Sequence, residues 1–88
     1  MTHNADFIGL VWGVKLWGYC QVNGRVTFAV PLSKIFALTT AVDQLTDTSN
    51  SEAVGYVNLN TSGFNWYGVF ANSNTAHDIK GYWLLVAA

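Results

Sequence analysis

His77 and Asp78 stand side by side, the one adjacent imidazole–carboxylate pair in the chain. Such a pair could move a proton for a nucleophile, and Ser73 and Thr75 lie close by in sequence. No pattern orders them, however, and the G-x-S-x-G turn that lifts a reactive serine out of a strand does not occur. The residues instead read as an ordinary polar loop. Three acids, Asp43, Asp47 and Glu52, fall close enough in sequence to suggest the paired carboxylates of glycoside hydrolysis. A chain this short offers little cleft in which to tune two acids apart, so they read as solvated loop carboxylates.

Cys20 is the only cysteine, flanked by Tyr19 and Gln21 in a strand-like run, and reads as a small core residue. One thiol closes no intrachain disulfide, and His3 and His77 are too far apart in sequence to suggest a metal site. Asn60-Thr61-Ser62 fits a glycosylation sequon but reads as a turn. No cofactor is called for, and the expected answer to whether the chain is an enzyme is no.

The aromatic residues say more. Four tryptophans and four tyrosines are many for 88 residues. Most belong in a core or a subunit interface, but those bordering loops could stack on the apolar faces of sugar rings. The polar stretches Asp43–Ser51 and Ala71–Asp78 carry the amides, hydroxyls and carboxylates such a platform needs, and scaffolds commonly carry function in loops. The candidate carbohydrate-binding set is Trp66 and Tyr67 for stacking, with Asn72, Asn74, His77 and Asp78 for hydrogen bonds.

Charge narrows the partners. The formal net charge is −1, and the four basic residues Lys15, Arg25, Lys34 and Lys80 are scattered, too sparse to track a phosphate backbone. Nucleic acid is therefore not expected as a partner. No apolar run approaches the roughly 18 residues needed to span a bilayer, so membrane insertion is not expected either. Phe7–Leu16 lacks the basic flank of a signal peptide. With a free thiol, this points to synthesis in a reducing cytosol.

The elements that must position these residues have a period of two. Met1–Asp6 is a patternless tail or junction, and residues 7–88 form the one domain. Strands are predicted over Leu10–Val22, Arg25–Val30, Ile35–Val42, Ala53–Leu59, Phe64–Phe70 and Ile79–Ala87. Asn23-Gly24 is a strong hairpin signal between the first two, and Pro31 should end the second. Asn60–Gly63 should form a turn with Gly63 in a left-handed conformation. The fold class is all-β, an antiparallel β-sandwich of about six strands.

Several of these strands are apolar on both faces. In Ile79–Ala87, Trp83, Leu85 and Ala87 point one way while Tyr82, Leu84 and Val86 point the other. A two-layer domain covers only one face of each sheet. The chain is 51% hydrophobic and 10% charged, against the roughly 25% charged that is usual for soluble domains. The expected cover for the second face is another copy of the chain, and burying about 1,000 Å² there would contribute roughly 25 kcal/mol gross before association costs.

The runs VWGVKLWGYCQVNGRVTFAVPLSKIFALTTAVD, GYVNLNTSGFNWYGVF and IKGYWLLVA together resemble the C-terminal domain of bacteriophage tail fibre proteins. The same order, with its N-T-S-G-F turn and closing Trp-containing strand, is similar to the H-type lectin domain. The resemblance spans Leu10–Ala88. It implies a six-stranded sandwich that assembles as a homotrimer at the end of a fibre shaft and binds a bacterial surface glycan, such as lipopolysaccharide, or an outer-membrane receptor. Such a protein would be made in the host bacterial cytoplasm and work in the virion. The alternative is a structural trimerisation cap with no ligand of its own. A depolymerase is a third and weaker possibility. No binding residue is carried over from either family; the site set above rests on loop composition and aromatic placement.

Overall fold

The computed structural model describes residues 13–43 and 50–88. The predicted tail, the start of the first strand at Leu10–Trp12, and most of the first polar loop, Asp47 included, lie outside those residues. Within them run seven strands: β1 (Val14–Cys20), β2 (Gly24–Thr27), β3 (Ile35–Val42), β4 (Glu52–Asn60), β5 (Gly63–Phe70), β6 (Thr75–Ala76) and β7 (Gly81–Ala87). All pair antiparallel, in two sheets ordered β1-β7-β3 and β2-β5-β4, with β6 also on β5. The all-β antiparallel sandwich is as expected. The extra strand, β6, is a two-residue pairing inside what reads in sequence as loop.

Each sheet is organised by its middle strand. β5 turns Phe64, Trp66, Gly68 and Phe70 to one face, and β7 turns Gly81, Trp83, Leu85 and Ala87 to one face. Phe64, Trp66, Trp83, Leu85 and Ala87, joined by Phe28, form the buried cluster between the sheets. The Phe64 and Trp83 rings meet edge to face at 5.3 Å, a favoured aromatic arrangement, and Phe28 packs against both. Leu16, Cys20, Val26, Leu38 and Val54 from the flanking strands pack around this cluster. Gly18 makes room for it, since the Trp83 indole nitrogen lies only 2.6 Å from where a Cβ would stand.

Three local expectations are corrected. First, Asn23-Gly24 is not a hairpin: β1 pairs with β7 and β2 with β5, so this segment carries the chain from one sheet to the other. Gly24 still needs to be glycine, because its φ is +152°. The hairpin signal was overridden because the Asn23 amide bonds to β5 rather than serving a tight turn. Second, β1 and β2 stop at Cys20 and Thr27, short of the expected Val22 and Val30. Phe28 leaves the ladder to plug the core, its N–H donating to Ser62 O at 2.9 Å, so pairing ends before Pro31 could end it.

Third, Gly63 is not left-handed. Asn60 pairs with Gly63 across a turn in which Asn60 Oδ1 accepts from the backbone N–H groups of Ser62 and Gly63. Gly63 is required instead for close approach, because a Cβ there would collide with the Val26 carbonyl oxygen of β2.

Candidate functional site

The six candidate sugar contacts do not come together. Trp66 is 1% exposed, and its indole N–H donates to Ile79 O at 2.9 Å. Both its faces belong to the core, so it has no platform to offer a ligand. Asp78 Oδ1 accepts the Asn23 backbone N–H at 2.9 Å, and the His77 ring stacks on Phe70 at 4.1 Å. The adjacent pair therefore faces two different partners. Asn72 and Asn74 sit in the turn between β5 and β6, Asn72 Nδ2 donating to Asn50 Oδ1 at 3.3 Å and Asn74 taking a φ of 53°. Asparagine tolerates that left-handed turn conformation, which gives it a structural reason to be there.

Tyr67 is exposed where its neighbour Trp66 is buried. It lies on the outer face of β5, opposite in direction to Trp66 and Phe70, and is 40% exposed. Its flanks are open for local reasons. Its cross-strand partner on β4 is Gly55, around whose Cβ position nothing lies within 4 Å. On the other edge of β5, β2 pairing stops at Trp66 and β6 pairing begins at Val69, so among the described residues no ladder residue stands beside Tyr67.

One step along the same face, about 7 Å away by strand spacing, is the cross-strand pair Asn65–Arg25. Arg25 is held in place: Nη1 donates to Asn58 O at 2.8 Å and Asn65 Oδ1 at 3.1 Å, and Nη2 to Asn60 Oδ1 at 3.0 Å and Ser62 Oγ at 3.3 Å. With all four Nη hydrogens so engaged, a flat ring beside the Arg25 Nε–H and the Asn65 Nδ2 could stack on a pyranose and donate to its hydroxyls, and the guanidinium charge would favour an acidic substituent. Sequence reasoning named Tyr67 as a candidate but not Arg25 or Asn65. Asn65 lies two residues from Tyr67 on the same face of β5, and the β2–β5 register, hidden by the false hairpin, brings Arg25 to them.

The outer face of the other sheet is different in kind. Register puts Lys15, Trp17 and Tyr19 of β1, Tyr82, Leu84 and Val86 of β7, and Ala37, Thr39 and Ala41 of β3 on it. Trp17 is 76% exposed, Tyr82 51% and Leu84 47%. A hollow of about 240 Å³, with walls of carbon, lies among Trp17, Thr39, Ala41, Tyr82 and Leu84. Tyr19 leans on Tyr82 at 4.8 Å, and its hydroxyl donates to Asp43 Oδ2 at 3.0 Å. Desolvation, and then the nearby Asp43 carboxylate, hold the Tyr19 hydroxyl above the usual tyrosine value.

The alternative chemistries find no geometry among the described residues. Burial pushes the Cys20 thiol up, against a weaker opposing pull from the Trp83 indole, so it is held away from the reactive thiolate. Asp43 is engaged by Tyr19, and no three His, Cys, Asp or Glu side chains among the described residues converge as a metal would require.

Compared with known proteins, the chain matches no family model, no curated protein and no solved structure.

Proposed function

We propose that this chain is a self-associating receptor-binding domain, the distal tip of a phage tail fibre, which recognises a glycan on the bacterial surface. The observation that carries the reading is Tyr67, an aromatic ring 40% exposed beside the empty Cβ position of Gly55, on a sheet face that also holds Arg25 and Asn65. The sequence resemblance supplies the fibre context and the homotrimer. The all-β antiparallel sandwich is consistent with both. Tyr67 stacks on a sugar ring, while Arg25 and Asn65 supply polar contacts. Repetition of a weak site over several copies adds avidity.

The test is binding of the assembled protein to a glycan array and to whole bacterial cells, with Tyr67→Ala and Arg25→Met alongside. Saccharide or cell binding that both substitutions weaken by tenfold or more supports the reading. An assembled protein that ignores every saccharide and every cell surface removes it.

A second reading, a cap that registers and ends a fibre without binding anything, is favoured by one observation of its own: the uncharged aromatic centre of the β1-β7-β3 outer face. Deleting the domain separates the two. Loss of a cap leaves unassembled fibres, whereas loss of a receptor-binding tip leaves assembled particles that do not adsorb.

A further inference from the structure

We infer that the outer face of the β1-β7-β3 sheet is the surface through which one copy of this chain meets another, with Trp17 of each copy seated in the hollow of its neighbour. This rests on the self-association in the reading above and names the face that performs it.

The face has relief that fits itself. β1 and β7 raise a ridge of Trp17, Tyr19, Tyr82 and Leu84, while β3 contributes a trough of Ala37, Thr39 and Ala41 one strand away. The hollow between ridge and trough, walled by Trp17, Tyr82 and Leu84 on one side and Thr39 and Ala41 on the other, is about 240 Å³ and exceeds the roughly 150 Å³ that suffices for a benzene ring. Trp17, at 76% exposed, is the side chain that stands out farthest beside it. A knob and a matching hole on one surface are what two identical molecules need in order to interlock.

Area and charge point to the same occupant. At 150–250 Å² for a whole aromatic side chain, the exposed parts of Trp17, Tyr19 and Tyr82 amount to on the order of 400 Å². Leu84, Val86 and the β3 side chains bring the face near the roughly 600 Å² per partner at which stable interfaces begin. Among the described residues its charges lie at its ends, Lys15 at one and Asp43 with Lys80 at the other, and the Asp43 carboxylate already accepts the Tyr19 hydroxyl. A charged partner would find nothing to pair with at the centre, whereas a second uncharged aromatic face would.

The experiment is mass in solution by light scattering at micromolar concentration, for the wild type, Trp17→Lys and Val57→Lys. Val57 is exposed on the outer face of the other sheet and serves as the control. The wild type and Val57→Lys should run at the same multiple of 9.6 kDa, and Trp17→Lys should fall to 9.6 kDa with an unchanged far-ultraviolet circular dichroism spectrum. Leu84→Lys should do the same, which guards against a misfolded first variant. A monomeric wild type, a Trp17→Lys protein that keeps its multiple mass, or an equal loss in Val57→Lys overturns the inference. An assembled Trp17→Lys that still binds cells removes this interface and leaves receptor binding standing. An assembled wild type that binds no cell, with Trp17→Lys monomeric, does the reverse.

Discussion

The side chain of Asn23 pairs with the backbone of Gly68 as a strand residue would: the Gly68 N–H donates to Asn23 Oδ1 at 2.6 Å, and Asn23 Nδ2 donates to Gly68 O at 3.2 Å. β2 and β6 share one edge of β5 and leave a gap between them, and this amide fills it. Removing it strands a partly buried N–H, at a cost of about 1–3 kcal/mol. Asn23→Ala should therefore lower the melting temperature by roughly 4–8 °C per kcal/mol lost in a domain this small. Asn23→Asp should recover part of that loss, since a carboxylate oxygen still accepts the Gly68 N–H while the Gly68 carbonyl keeps the His77 N–H. Thermal melts as stable as wild type for Asn23→Ala would remove this role.

Two glycines on neighbouring strands should respond oppositely to alanine. At Gly63 the new methyl meets the Val26 carbonyl oxygen, so Gly63→Ala should push β2 off β5 and destabilise by about 1–3 kcal/mol. At Gly55 it meets nothing within 4 Å, and Gly55→Ala should gain about 0.5–1 kcal/mol by restricting the unfolded chain. Urea unfolding of the two variants checks the sign of each.

Tyr19 and Asp43 make stability fall at alkaline pH. The Tyr19 hydroxyl is raised on folding, by desolvation and then by the Asp43 carboxylate that accepts its hydrogen. Its contribution is thus complete below the unfolded tyrosine value near 10 and is lost as pH rises through the higher folded value. The difference in urea midpoint between wild type and Tyr19→Phe should be constant from about pH 8 to 9 and should shrink above about pH 10. A difference that grows with pH would contradict the assignment.

Trp66 and Tyr67, adjacent in sequence, should separate stability from binding. Trp66→Ala empties the middle of the core and should cost about 3–5 kcal/mol. Trp66→Phe loses the bond to Ile79 O but keeps most of the packing, so it should fold less stably and still bind saccharide. Tyr67→Ala should change stability by no more than about 0.5 kcal/mol while abolishing binding. Binding lost in a well-folded Trp66→Phe would return Trp66 to the site.

What could be read in advance follows from which forces act locally. Alternation along Phe64–Phe70 and Ile79–Ala87 assigned Trp66 and Trp83 to one face and Tyr67 and Tyr82 to the other, and the burial of both strands agrees. That information is contained in the period of the side chains. The partner of each strand is not. Asn23-Gly24 carries the local chemistry of a hairpin, but the long-range bonds of Asn23 to Gly68 and Asp78 override it. Asn65 shares the face of Tyr67 by alternation alone, but with that pairing lost Arg25 could not be seen as their neighbour. The polar stretch Ala71–Asp78 misled for a related reason: its side chains have the composition of a binding loop but serve the β5–β6 turn and the seam to β1–β2.

The position of β7 in the sheet has a consequence for how this chain is made. Among the described residues, β1 and β3 touch no strand of their own sheet except β7, which spans residues 81–87. While a ribosome is still extending the chain, two strands rich in tryptophan, phenylalanine and leucine must wait without a backbone partner. Folding of this kind, ruled by contacts far apart in sequence, is slow and leaves sticky segments uncovered in the interval. Nascent chains stalled before residue 81 should therefore be captured by chaperones or clump, and release of the last strand should be the event that lets the sandwich close.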